Sequence, residues 1–180
     1  DEVSIDAVRF AIESGITFFD TSDIYGPDSR SERVLGLALK NGYRKRVVLA
    51  TKGGGIEGLV HTDYTGGHLR EALEASLKRL GTDSVDLYQL HNPRIDDADL
   101  CRRAFETLEA LRAEGKIRAI GLSVKSPAEA LFAVQNLPFS TVQVNFNLMD
   151  QRARALGLFE AAQSKEVGLI IRTPLCFGFL

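Results

Sequence analysis

Asp20, Tyr25, Lys52 and His91 offer a carboxylate, a phenol, an ammonium and an imidazole. These are the groups needed to move a proton to or from an oxygen near neutral pH. A free phenol, with a pKa of about 10, gives up its proton reluctantly. An ammonium beside it favours the phenolate and lowers that value. A carboxylate beside the ammonium keeps it charged and in place, and an imidazole can hydrogen-bond the same oxygen and orient it. On this reading Tyr25 is the acid, Lys52 its electrostatic activator, Asp20 the anchor of the lysine and His91 the orienting group. Each has a plain structural explanation when taken alone. Tyr25 could pack or cap, Asp20 before Thr21 could form a turn, Lys52 could be a solvated strand end, and His91 before Asn92-Pro93 could begin a turn. Their convergence is what counts, and it depends on the elements that carry them.

Six β-rich runs recur along the chain, at 16–20, 46–52, 85–91, 117–124, 141–147 and 168–173. Most are near-continuous apolar runs, which suits strands of a parallel sheet covered by helices. Helical patterns fill the gaps at about 3–14, 30–41, 66–80, 99–114, 126–136 and 150–165. Leu69, Leu73, Leu77 and Leu80 form one apolar stripe, and Phe105, Leu108 and Leu111 another. Gly15, Gly42, Gly81 and Gly115 each follow a helical run, where a left-handed residue belongs. Ser126-Pro127 reads as an N-cap followed by Pro at the first helical position. Strict alternation of strand and helix argues for an α/β class with right-handed crossovers. Two architectures fit: an open doubly wound sheet, or a parallel (β/α)8 barrel of TIM type with about six of its units present. In either, the C-terminal strand ends share one face. Asp20, Lys52 and His91 close three successive strands there, and Tyr25 lies in the loop after the first.

The 180 residues suit one ordinary domain, 1–180, with 44% apolar and 26% charged residues. A net charge of -2 offers no basic excess for a nucleic-acid backbone. No apolar run approaches the roughly 18 residues of a membrane span. The N-terminal stretch has neither the basic nor the apolar region of a signal peptide. It also lacks an initiator Met, so the chain is expected to be cut from something longer, or processed. Cys101 and Cys176 read as reduced thiols of a cytoplasmic protein. His61, His68 and His91 have no metal-type spacing, and no metal is expected. Gly53-Gly54-Gly55-Ile56-Glu57-Gly58 fits G-x-G-x-x-G literally. However, no helix opens at its third glycine and no acid ends the next strand, so a dinucleotide fingerprint is discounted. The segment 53–64 reads as an irregular, substrate-side loop. Arg30, Glu32 and Arg33, following Ser29 and Ser31, read as a capped helix start with a solvated charged turn.

The segments FFDTSDIYG (Phe18 to Gly26), ATKGG (Ala50 to Gly54), SLKRLGTDSVDLYQLHNP (Ser76 to Pro93), EGKIRAIGLS (Glu114 to Ser123) and VQVNFN (Val142 to Asn147) resemble the aldo-keto reductases. The likeness covers nearly the whole chain in the family's order. It implies a (β/α)8 barrel and reduction of an aldehyde or ketone by hydride transfer from NADPH, or the reverse oxidation of an alcohol. Asp20, Tyr25, Lys52 and His91 match the family's tetrad, with Tyr25 protonating the carbonyl oxygen. Ser123, Gln143, Arg172, Thr173 and Leu175 fall at cofactor-binding positions. Val124 stands where the family usually has Asn, and Arg172 where many members place a Tyr that stacks on the nicotinamide. By the same likeness the first and last barrel strands are missing. The expected barrel is therefore incomplete, with open edges through which copies could associate. NADPH rather than NADH rests on the family alone, because the cluster that grips the 2′-phosphate lies beyond this sequence. The substrate is a small carbonyl or alcohol, and the glycine-rich 53–67 segment hints at a sugar. The alternatives are a non-catalytic cofactor-binding or regulatory subunit, or an inactive truncated barrel.

Overall fold

The computed structural model describes residues 1–56 and 59–180. Strands and helices alternate as α1 (Glu2–Glu13), β1 (Phe18–Asp20), α2 (Arg30–Ala38), β2 (Val48–Gly53), β3 (Gly55–Ile56), β4 (His61–Thr62), α3 (Gly66–Leu80), β5 (Val85–His91), α4 (Ala98–Ala113), β6 (Ile117–Ser123), α5 (Pro127–Asn136), β7 (Thr141–Asn145), α6 (Arg152–Ala155), α7 (Leu158–Ser164) and β8 (Gly168–Arg172). Six strands form one parallel sheet in the order β1-β2-β5-β6-β7-β8. A doubly wound sheet reverses its strand order at a switch point. Here each main strand pairs with the next in sequence, so the order is that of a (β/α)8 barrel. Among the described residues the sheet does not close, and β1 and β8 are its edges.

The apolar stripes bury as their spacing predicts. Leu69, Leu73, Leu77 and Leu80 of α3, and Leu108 and Leu111 of α4, are buried against the sheet, with Phe105 partly so. Each such side chain contributes roughly 1.5–3 kcal/mol through burial. Outward-facing sheet residues Leu49, Leu90, Ile120, Leu122 and Val142 complete this layer. Ser126 and Glu129 form a full capping box at α5, with Pro127 in the first turn. The four helix-ending glycines all have positive φ. No helix among the described residues is long and apolar enough to cross a membrane.

Three expectations change. The run 150–165 is two helices, because Gly157 takes φ 73° and ends the first before capping the second. The segment 53–64 is not wholly irregular, since β3 and β4 pair antiparallel within it. Glu57 and Gly58 of the discounted glycine motif lie outside the described residues. Finally, Ser29 is left-handed and makes no capping bond, and Glu32 is not solvated. Glu32 is fully buried, pairs with Arg79 of α3 at 2.6 Å and accepts the Thr51 hydroxyl of β2 at 2.6 Å. A buried carboxylate needs such partners, so this charge serves helix docking.

Candidate active site

Parallel register sets the geometry from below. Asp20 lies opposite Ala50, Lys52 opposite Gln89, His91 opposite Ser123, and Ser123 opposite Gln143. Residues on one face alternate along a strand, so these polar side chains share the concave face near the C-terminal strand ends. The Asp20 carboxylate gathers three donors. Oδ2 accepts from Lys52 Nζ at 2.5 Å and from Gln143 Nε2 at 3.0 Å, and Oδ1 accepts from Gln89 Nε2 at 2.8 Å. Lys52 also donates to the Thr21 carbonyl at 2.8 Å. Its side chain is fully buried. Burial pulls its pKa below the usual lysine value, and Asp20 opposes that pull.

Tyr25 stands at the rim, 39% exposed. Its ring meets His91 edge-on, with centroids 5.7 Å apart, and Lys52 Nζ lies 5.1 Å from the ring centroid. The phenol pKa is raised, first by burial and then by Asp20, while Arg172 pulls it down. This is opposite to the lowering expected from Lys52. The ammonium directs its hydrogens at Asp20 and a carbonyl, and Asp20 offsets its field at the phenol. His91 is buried, and its Nδ1 lies 3.1 Å from Ser22 Oγ. Burial, then Lys52 and Arg172, lower its pKa to about 4, so the ring is neutral at pH 7. The Tyr64 hydroxyl donates to the His91 carbonyl at 2.7 Å and fixes the strand end.

Of the other predicted positions, Ser123 Oγ donates to Gln143 Oε1 at 3.3 Å, and Gln143 turns its amide onto Asp20. Arg172 Nη2 donates to the Val124 carbonyl at 2.9 Å, while its buried Nε has no partner among the described residues. The Thr173 hydroxyl donates to Asn145 Oδ1 at 2.7 Å. Leu175 is exposed beyond the last strand. The sequence reading missed Gln89, Ser22 and Asp23. Gln89 had a usable signal, because a glutamine in an apolar strand two residues before His91 must share its face. Ser22 and Asp23 had none beyond adjacency to Asp20. A groove of about 970 Å³ between α3 and α4, flanked by Arg70, Arg94 and Arg103, is lined by none of the four tetrad residues. Among the described residues, no cluster of three or more His, Cys, Asp or Glu side chains could hold a metal.

The sequence matches the family model described as the Aldo/keto reductase family over residues 1–180. Solved structures agree. An aldo-keto reductase from Bacillus halodurans in its holo form is 30% identical, with a TM-score of 0.81 over 98% of this chain and 60% of its own. An aldo-keto reductase from Klebsiella pneumoniae in complex with NADPH is 29% identical, with a TM-score of 0.80 over 98% of this chain and 59% of its own. A glycerol dehydrogenase from Gluconobacter oxydans is 29% identical, with a TM-score of 0.81 over 98% of this chain and 54% of its own. The chain therefore spans less than two thirds of the length of these relatives.

Proposed function

The chain belongs to the aldo/keto reductase family, and from that premise we propose that it is an oxidoreductase that reduces a small aldehyde or ketone with NADPH. The observation that supports this most is the cluster at the strand ends: a rim-exposed phenol edge-on to a neutral imidazole, with the buried Lys52 paired to Asp20 beneath. The residues present also fit a nicotinamide cofactor. Arg172 keeps a buried, unpartnered N–H at the end of β8, and Gln143 and Ser123 form a polar row beside the tetrad. Arg172, Gln143, Ser123, Thr173 and Leu175 would hold the cofactor. When bound, it supplies the hydride.

The chain's own part is proton transfer. Tyr25 donates its phenolic proton to the substrate oxygen as the alcohol forms. Its raised pKa keeps it protonated before the reaction. Lys52 lies close enough to steady the phenolate that results, and Asp20 holds Lys52. His91, neutral at pH 7, would hydrogen-bond the same substrate oxygen, as donor to a carbonyl when Nε2 holds the proton and as acceptor from an alcohol when it does not. Tyr25→Phe keeps the ring contact with His91 and removes only the acid. Carbonyl reduction is expected to fall by at least 100-fold in kcat, in line with the usual worth of a positioned acid. Near wild-type reduction in this variant overturns the assignment. Cofactor binding without turnover across a broad aldehyde panel would favour a non-catalytic binding role instead.

A further inference from the structure

Ser22 sits between Asp23 and His91 in a way the tetrad does not use. Its side chain is fully buried. Oγ donates to Asp23 Oδ1 at 3.0 Å, accepts from the Ile24 N–H at 3.4 Å and lies 3.1 Å from His91 Nδ1. A hydroxyl has one proton and two lone pairs. If its proton goes to an ionised Asp23, its remaining lone pair must take a proton from Nδ1. A neutral imidazole then carries a bare Nε2. If Asp23 is protonated, the carboxyl donates to Oγ, Oγ donates to Nδ1, and Nε2 carries the proton. Both arrangements use every donor and acceptor of Ser22.

We propose that Asp23 and Ser22 form a part-buried relay behind His91 that sets which imidazole nitrogen is protonated. The relay thereby sets whether Nε2 meets the substrate oxygen as donor or as acceptor. The proton balance closes. One proton enters at Nε2, the Nδ1 proton passes to Oγ, and the Oγ proton passes to Asp23 Oδ1. The ring stays neutral, and the carboxylate absorbs the change in charge. A donor at Nε2 suits a carbonyl oxygen, and an acceptor suits an alcohol hydroxyl, so Asp23 would bias the site between reduction and oxidation. This last step rests on the reductase reading.

Burial raises the Asp23 pKa to about 6, with Glu32 of α2 raising it further and the Ser22 bond, Arg79 and His68 of α3 opposing. His91 is faced by Lys52 of β2, Arg172 of β8 and Tyr25 of the loop after β1. Burial, with the two cations adding to it, keeps the ring neutral through the range in which Asp23 titrates. Asp23 is a positioning residue, since it acts only through Ser22.

The test is imidazole 15N–1H correlation spectroscopy of this chain between about pH 5 and about pH 8, with the His91 signals assigned by their loss in His91→Gln. The expected result is a neutral His91 whose proton moves from Nε2 to Nδ1 as pH rises, with a midpoint near 6. Asp23→Asn should show one tautomer across the range, and Ser22→Ala should lose the pH response. A single tautomer throughout in the wild type overturns the relay, as does an unaltered transition in Ser22→Ala or in Asp23→Asn. The spectra need no turnover. A transition seen in a chain that binds cofactor but reduces none of a broad aldehyde panel upholds the relay while overturning the reductase reading, and carbonyl reduction with no such transition does the reverse.

Discussion

At the scale of single residues, the burial of ionisable groups leaves a measurable mark on stability. Asp23 titrates near 6 in the folded chain, against 3.8 for the ordinary side chain. The folded state therefore binds this proton more tightly, and stability falls as pH rises from about 4 to about 6. Above that, the full penalty is present. Asp23→Asn removes it. The variant should be more stable than wild type above pH 7, by on the order of 1–3 kcal/mol for a partly buried group with a shift of this size. Near pH 4 the two should converge. Urea midpoints at the two pH values check this, and an equal gain at both would point to a cause other than ionisation. His91 works in the opposite sense. Its folded value near 4 lies below the ordinary 6.5. Its contribution is complete above about 6.5 and is lost as pH falls toward 4. The two groups offset one another in the wild type between about pH 4 and 6. The Asn variant should therefore show the steeper loss on acidification.

At the scale of elements, the α2–α3 contact carries a charge and a close approach together. A Cβ added at Gly36 would lie 2.4 Å from the Arg79 carbonyl oxygen. Backbone cannot yield as a side-chain tip can, so Gly36→Ala must push α2 away from α3. It would also stretch the buried Glu32–Arg79 pair. A loss of about 1–3 kcal/mol is expected, seen as a lowered thermal midpoint. An unchanged midpoint would show that the helices separate freely. Helix α3 was legible to the residue because its leucine stripe and Gly81 mark its face and its end. The β3–β4 ribbon was not legible. Two-residue strands carry no period, and their pairing depends on Asp63 and Gly54 meeting through the backbone. The solvated reading of Glu32 failed because sequence shows a residue's charge but not the arginine, forty-seven positions on, that neutralises it.

At the scale of the whole molecule, the sheet ends in two unpaired edges, β1 and β8. Apolar side chains lie exposed near both, among them Phe18 at 40% and Ile171 at 37%. An open parallel edge with apolar flanks invites pairing with another copy. In sedimentation velocity over a wide concentration range, this chain is expected to form species larger than its 19.7 kDa monomer. A single monomeric boundary throughout would show that the edges are protected. The sequence by itself determined the alternation of strand and helix, the apolar faces, and the positions of Asp20, Lys52 and His91 at strand ends with Tyr25 in the loop after the first. These depend on local periodicity and on the fixed direction of parallel strands. Tertiary structure alone decided the strand order that distinguishes a barrel from a doubly wound sheet. It also decided the three donors on Asp20, the upward shift of the Tyr25 pKa and the placing of Ser22 between Asp23 and His91. Each of these depends on distances between residues far apart in the chain, and on how much water the fold excludes between them.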